Sequence, residues 1–542
     1  MMSFVARGCG RHRLWFSSAL ATVALLAAAC GSSSPPTAAS SPKPGGTLNT
    51  AFPADPPAFN PDTSTNYEQQ IIGCMVYESL VWINEQGQFQ PRLAKSWTIS
   101  PDGLTYTFNL VTASWQDGQP FTSADVKYSL LNVSTPYGGV FHPAGQDIAS
   151  IDTPSTQQVI IHLKHTFGPF LFALGCSQGG AILPAHLLQG TDVLTNLATT
   201  TKPVGTGPFM LTNWVRGQSL TFTRNPHYWQ SGLPYLNTIQ IQIIPSASSA
   251  NLALLAGSLD YVYGPFFPST DYSAVRADHN LKLVATGTAA GDDILFFNTR
   301  QGPTSNAKVR QALFTAIDRN YLLKAVWNSE GQVGISSIGP RIAWAYNPAV
   351  NYSTTYAYDV SKAKQMLDAA GYPVRSNGSR FTLNFFERSD LTDYDTAAQA
   401  IEQMWKAVGI NVQLSVVSLD QWEAEVFAAH PTSWDATIEG YTSYGDPALG
   451  IARQFVTTSI GKPFGNVSGY SNPAVDQLFQ EGADASTMSK RASYYMQAQV
   501  IIANDLPSAS LHVPQVYDAA TAKMQGFWTS EFYGDWATTS LS

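Results

Sequence analysis

Polar and apolar residues alternate along Thr105-Tyr106-Thr107-Phe108-Asn109-Leu110, the period of a strand with one wet face. Pro101-Asp102-Gly103 before it and Gln116-Asp117-Gly118 after it read as turns whose glycines tolerate left-handed backbone. Upstream, the short apolar run Leu80–Ile83 stops at the turn signal Glu85-Gln86-Gly87-Gln88. Downstream, Thr122 or Ser123 caps a helix whose apolar positions include Val126, Leu130 and Leu131. The stretch 77–131 therefore reads strand, turn, strand, turn, helix, with Trp82, Trp97 and Trp115 packed among them.

The same reading extends along the chain. Gly45 to Ala51 is an opening strand after a glycine hinge, and Thr63 to Asn66 caps a helix running to about Leu80. Val159–Leu163 and Leu236–Ile244 are strands, and Ile294–Thr299 is a buried one. Helical spacing marks Lys308–Ile317, Asp359–Gly371 and Ala397–Val408, the last followed by a strand at Gly409–Leu414. Trp434–Glu439 is a strand that ends in the loop Gly440–Pro447. Helices begin at Gly469–Pro473 and cover Ser493–Asn504, after which Leu506–Leu511 crosses back. Helix followed by strand recurs, which implies an α/β lobe with parallel pairing.

Composition narrows the function. The 542 residues suffice for two to four domains or lobes. Only 13% are charged, about half the usual share, while aromatics make up 12% with 24 Tyr and 13 Trp. Such a chain has aromatic side chains for a cleft as well as a core. The net charge is −8 with no basic block beyond the first residues, which argues against nucleic acid and against an anionic membrane surface as the main partner.

Residues 1–29 read as a signal peptide: Arg7, Arg11 and Arg13, then the apolar run Leu14–Ala29, too short for a stable span. It ends Leu26-Ala27-Ala28-Ala29-Cys30-Gly31, the pattern of a lipoprotein signal in which Cys30 is lipidated; the alternative is ordinary cleavage after an Ala-x-Ala. Residues 30–44 form a Gly/Ser/Pro-rich tether. The expected location is extracytoplasmic, lipid-anchored to the bacterial cell membrane. Cys74 and Cys176 remain in an oxidising compartment, either as a disulfide or as two separate buried thiols, since spacing leaves both open.

Candidate chemistry is sparse. Gly175-Cys176-Ser177-Gln178-Gly179 matches the G-x-S-x-G nucleophile elbow, making Ser177 the one candidate for a serine hydrolase. The elbow needs a strand before it and a helix after it, whereas the preceding segment opens with Pro169 and the following one does not start a helix. His162 and His165 lie on a strand-like segment that points them to opposite faces, and a metal pair needs further ligands. Pro203–Phe209 is a tight turn without the third glycine of a phosphate cradle. No set of acids, bases, nucleophile partners or metal ligands converges, so catalysis, metal and cofactor are not expected.

Four linked motifs carry a resemblance. Tyr77–Leu80, Pro91–Trp97, Ser100–Leu110 and Trp115–Val126 resemble the successive "Y/FE-x-L", "P-x-L-A-x-S-W", "S-x-D-G-x-x-Y-x-F-x-L" and "W-x-D-G-x-P-F/V-T-A-x-D-V" segments of the family 5 solute-binding proteins of ABC transporters, the oligopeptide, dipeptide and nickel group. Gly205–Phe209 with Arg224–Trp229, Ala250–Asp260 and Phe297–Arg319 resemble later family segments, so the likeness runs from about Gly45 to about Gln515.

The resemblance implies an α/β, periplasmic-binding-protein-like fold: two lobes, the first split into two subdomains, joined by a two-segment hinge. Residues 45–75, 178–296 and 510–542 would form lobe 1, 76–177 the extra subdomain, and 297–509 lobe 2, with crossings near Ile294–Thr299 and Leu506–Leu511. It implies a monomer that closes on a ligand and docks on an ABC permease and ATPase complex; a receptor that senses without import is the other use. Peptide comes first as ligand, then oligosaccharide, then nickel or a metal chelate. Thr65, Asn66 and Tyr67 would border the cleft, as would Tyr441, Ser443, Tyr444 and Asp446, with Trp434 packing beneath. In peptide-binding relatives the latter loop reads "G-W-x-x-D-x-x-D/E-P", and its middle Asp pairs with the peptide's amino group. Here the loop is one residue shorter, Tyr441 stands for the Trp, and Ser443 or Tyr444 falls where that Asp belongs. Either Asp446 takes the role or the ligand has no amino group to hold.

Overall fold

Side chains alternate between core and solvent along Thr105–Leu110, leaving Tyr106, Phe108 and Leu110 buried. This holds in the computed structural model, which describes residues 42–63, 66–84, 88–138, 141–267, 269–285, 291–389, 391–428, 431, 433–462, 465–527 and 535–542. The signal segment, Cys30, most of the tether, Thr65 and the turn at 85–87 lie outside the described residues.

Thr105–Leu110 belongs to a four-stranded antiparallel sheet with Ala94–Ile99, Gln158–Leu163 and Ile148–Ser155. The helix Ser123–Tyr128 covers it, started by a capping box in which the Thr122 N–H donates to Asp125 at 2.8 Å. Val126 and Leu130 are fully buried, but Leu131, expected on the same face, is 37% exposed. The helix widens to a π-turn at Ser129–Ser134, and the extra residue per turn rotates Leu131 off the apolar stripe. His162 and His165 face separate carboxylates, Asp152 and Asp147.

A seven-stranded sheet builds the first lobe. Its order is Phe209–Val215, Ser219–Arg224, Thr238–Ile243, Thr47–Phe52, Tyr261–Val262, Tyr517–Thr521 and Leu281–Ala285. Thr47–Phe52 pairs in parallel with Thr238–Ile243. The helix expected to reach Leu80 covers only Tyr67–Val76. Tyr77 turns extended because its hydroxyl donates to the Ala198 carbonyl and Glu78 is drawn into a buried network, so Glu78–Ser79 pairs with Ala181–Ile182 instead.

The second lobe has a six-stranded mixed sheet: Gln332–Val333, Ser508–Val513, Asp292–Phe297, Ala436–Tyr441, Phe381–Arg388 and Ile410–Val417. Helices Ala307–Thr315, Val360–Ala369 and Thr392–Ala407 supply its core with Leu313, Leu367 and Trp405. The segments expected to cross between lobes, Ile294–Thr299 and Leu506–Leu511, lie largely inside this sheet. Ile294 to Phe297 and Ser508 to Val513 are buried without alternation, the mark of central strands covered on both faces. The chain passes between the sheets outside them, after Leu281–Ala285 and between Ser508–Val513 and Tyr517–Thr521.

Sequence motifs distant along the chain meet in space. A Cβ on Gly205 would fall 1.8 Å from the Val76 carbonyl oxygen, so only glycine fits that turn. Gln116 pins the same turn, accepting from the Gly205 N–H and donating to the Phe209 carbonyl. Cys74 and Cys176, with Cα atoms 5.9 Å apart, form a disulfide spanning 102 residues. Replacing both with serine should lower the unfolding free energy by about 2–5 kcal/mol, read from guanidinium midpoints.

Asp518, on Tyr517–Thr521, is 2% exposed and accepts hydrogen bonds from the Tyr261 hydroxyl and the Gly264 N–H. Burial pushes its carboxyl from 3.8 up to about 7, with both hydrogen bonds pulling the other way. Between these values the folded chain keeps a proton that the unfolded chain has released. That contribution to stability is complete below 3.8 and is lost as pH rises through about 7. Asp518→Asn cannot ionise, so its melting temperature should fall less than the wild type's between about pH 5 and about pH 8. Parallel melting curves over that range would exclude the effect.

Candidate functional site

Two acids precede the apolar run of Asp292–Phe297, at the end where the chain enters the second sheet. Beside them lies a cavity of 410 Å³ walled by both lobes. Tyr272 and Val516 line it from the first lobe's side, and Asp293, Trp327, Tyr394 and His512 from the second's. Asp293 accepts from the Tyr394 hydroxyl at 2.9 Å and faces His512 Nδ1 at 2.8 Å. His512 Nε2 meets the Glu330 carbonyl oxygen at 2.8 Å, and the ring stacks on Trp327 with centroids 4.3 Å apart. Asp393 stands exposed at the rim. Burial pushes the neighbouring Asp292 carboxyl up to about 6, opposed by a Ser510 hydrogen bond and the Arg341 charge. The rim is crossed by an ion pair between the lobes: Arg276 grips Glu330 at 2.6 and 3.1 Å and lies over Tyr272 and Tyr517. Half exposed, that pair is worth about 1 kcal/mol or less.

The strand Ala436–Tyr441 ends at the same edge, since Tyr441 pairs with Asp292 and Gly440 with Asp293. Tyr441 is 3% exposed; it packs with Phe296, Trp422 and Trp434, and its hydroxyl donates to the Gly465 carbonyl at 2.8 Å. Trp434 lies in that cluster, beneath the loop. Glu439 is buried against Arg388 at 3.0 Å. Ser443 is half-buried, and Tyr444 packs against Ile83 and Phe172 of the four-stranded subdomain. Asp446 is 5% exposed. It caps the turn Pro447–Ile451 through the Ala448 N–H and pairs with Arg491 at 2.7 Å, so its charge is already balanced. Arg491 in turn donates to the Gly482 carbonyl and to the Tyr495 hydroxyl.

The loop residues Tyr441, Ser443, Tyr444 and Asp446 thus share one edge, while Asn66 caps the helix Tyr67–Val76 by accepting from the Gln69 N–H. Thr65 and the Tyr67 side chain are outside the described residues. Ser177 lacks the frame of a nucleophile elbow. A short helix, Phe170–Ala173, precedes it, the strand Ala181–Ile182 follows it, and its buried hydroxyl donates to Gln178. Sequence reading missed the cavity wall. The signals were present: a histidine inside the apolar run Ser508–Val513, and paired carboxylates opening another such run.

Among the described residues no group of three or more His, Cys, Asp or Glu side chains is placed to hold a metal ion. No described helix is long and apolar enough to cross a membrane.

Removing Arg491 would leave the Asp446 carboxylate buried and unpaired. Arg491→Met should therefore cost about 3–5 kcal/mol of stability by urea denaturation. A loss below about 1 kcal/mol would show that Asp446 finds water or another partner.

Comparison with known proteins places these features. The family model for bacterial extracellular solute-binding proteins, family 5, matches residues 88–461. The oligopeptide-binding protein AppA of Bacillus subtilis is 27% identical over 533 residues, covering 95% of each chain. Heme-binding protein A of Haemophilus influenzae is 27% identical over 504 residues, covering 87% of this chain and 86% of its own. The solved structure of Bacillus subtilis AppA in complex with a nonapeptide superimposes with a TM-score of 0.74 at 26% identity, covering 93% of this chain and 100% of that one.

Proposed function

We propose that this chain, which belongs to the bacterial extracellular solute-binding proteins of family 5, captures a small solute between its two lobes and delivers it to an ABC permease and ATPase complex. The observation that carries the reading is the cavity of 410 Å³ beside Asp293 and residues 514–516, with aromatic walls from each lobe. A ligand that touches both lobes stabilises the closed arrangement over the open one, and one that touches a single lobe does not. The protein acts as a monomer outside the cytoplasm, held to the membrane by a lipid on Cys30 and the tether that follows.

A peptide is the ligand this reading favours, because relatives named for oligopeptide and glutathione binding match along most of the chain. The anchor for an ammonium group is then the cavity and not the loop. Asp446 is committed to Arg491, whereas Asp393 stands at the rim beside Asp293. Oligosaccharide is the second reading, supported by the rings of Tyr272 and Tyr394 in the cavity wall, which suit sugar stacking.

Native mass spectrometry of protein released gently from membranes should find a bound small molecule and an acylated Cys30. Adding a binding peptide should raise the melting temperature and contract the small-angle scattering envelope; a ligand at a hundred times its Kd adds about 2.7 kcal/mol. Absence of a co-purifying solute, together with no thermal shift from peptides, oligosaccharides or metal chelates, would refute capture.

A further inference from the structure

The helix that covers the four-stranded sheet runs in three parts: Ser123–Tyr128, the widened turn Ser129–Ser134, and Thr135–Tyr137. Such π-turns are rare and recur at functional sites. This one is built in firmly. The Thr135 N–H donates to the Leu130 carbonyl, and the Thr135 hydroxyl donates to the same oxygen at 2.7 Å. The Ser134 hydroxyl donates to the buried Asp62 at 2.8 Å. The change of register matters for two tyrosines. With 3.6 residues to a turn, position i+9 of a straight α-helix stands on the face opposite i. Widening the turn brings Tyr137 round to the side of Tyr128 and Asn132, and the three line one cavity of 290 Å³.

That cavity shares no lining residue with the one between the lobes. Its other wall is the turn 189–193. Gly190 is left-handed there, with φ of 80°, and nothing lies within 4 Å of where its Cβ would stand, so the turn's backbone is open. Tyr137 is 41% exposed and Tyr128 is half-buried. Burial pushes the Tyr128 hydroxyl up and the charge of Tyr137 adds to it, which marks the two phenols as neighbours. The side chains of Tyr128, Asn132, Tyr137 and Gln189 have no hydrogen-bond partner among the described residues. Asp192 is the one charged residue among those lining the cavity, and it is engaged within its own loop, accepting from the Leu194 N–H at 3.0 Å and the Thr195 hydroxyl at 3.2 Å.

This lining selects by chemistry. It offers no cation to an anionic guest, and its one carboxylate already has donors. An apolar guest would cover free amides and hydroxyls without pairing them, at about 1–3 kcal/mol for each one left unsatisfied. A pyranose answers both conditions. Its hydroxyls pair with amides and phenols, which donate as well as accept, and its C–H faces lie against tyrosine rings. The volume stands just under the usual range of roughly 300–1,000 Å³ for ligand pockets, which suits a single ring.

We propose that the cavity between Tyr128, Asn132, Tyr137 and Gln189 is a second binding site, separate from the one between the lobes, and that it takes one uncharged sugar ring. The site stands whether the cavity between the lobes takes peptide or sugar, because no residue belongs to both.

The test is titration calorimetry against cellobiose, maltose and diacetylchitobiose, with a galacturonate dimer as the charged control. The proteins are wild type, Tyr137→Phe, Gln189→Ala, and Asn132→Ala combined with Tyr137→Ala. The changed residues are exposed, and equal unfolding midpoints would verify that the variants fold. Wild type should bind at least one neutral disaccharide, and bind it more tightly than the galacturonate dimer. The double variant should weaken that binding at least about tenfold and Gln189→Ala at least about threefold, while Tyr137→Phe, which keeps the ring, should change it less than about threefold. Gln189→Ala, on the opposite wall, decides the matter by itself if the double variant fails to fold. Sugar binding that survives these changes belongs elsewhere on the protein and would overturn the site. So would a wild type that binds none of the neutral disaccharides.

Discussion

A carboxylate inside a protein must be met by donors, and Glu78 shows how much structure one such requirement can organise. It is 5% exposed, accepts from the Tyr228 hydroxyl and the Trp229 indole at 2.8 Å each, and sits near Arg92. Burial pushes it up, and the Arg92 charge with the Trp229 and Tyr228 hydrogen bonds opposes that. Arg92 reaches on to Asp535 at 3.4 Å and lies over Trp82 at 4.7 Å. One glutamate thereby joins residues separated by about 150 positions to the start of the four-stranded subdomain and to the C-terminal segment. The first lobe and its subdomain meet across this network.

The network also explains why the family was legible from sequence. Tyr77-Glu78 and Tyr228-Trp229 are parts of different motifs, as are Gln116 and Gly205, yet each pair is one contact in space. Residue types fixed by such contacts leave a readable trace. So does alternation in half-buried strands, and Thr105–Leu110 was readable to the residue. Periodicity does not say which sheet a fully buried strand joins, and for that reason the crossings were placed inside Asp292–Phe297 and Ser508–Val513. The cleft was less legible still. Asp293, Tyr394 and His512 stand far apart in sequence; antiparallel strand pairing brings Asp293 to His512, and Tyr394 reaches them from the first turn of the helix Thr392–Ala407. Asp446 was visible as an acid before a proline, but its partner Arg491 lies 45 residues on, in the helix Met488–Asp505.

The second lobe touches the subdomain as well as the first lobe. The Gly168 N–H donates to the Ala483 carbonyl at 2.7 Å, and the Thr166 hydroxyl to that of Asp484. Arg491 packs so closely that a Cβ on Gly168 would lie 2.5 Å from its Nε. The guanidinium that neutralises Asp446 is thus the same group that lies under the subdomain's surface. Rotation of the second lobe away from the subdomain must part these backbone contacts as well as the Arg276–Glu330 pair at the cavity rim. The cost of opening is shared between two places, one at the cavity and one remote from it.

The bond between Cys74 and Cys176 has a topological meaning beyond its strength. It closes a ring around nearly all of the four-stranded subdomain, whose two ends leave the first lobe with Cα atoms only 5.9 Å apart. Ends that near can be bridged by a tight turn, so the subdomain is a cassette in the path of the chain, held to its host lobe by the two attachment points and by the contacts of Glu78, Arg92 and Gln116. Insertion, exchange or loss of such a block changes what the chain presents to its surroundings without re-threading the sheet that carries it.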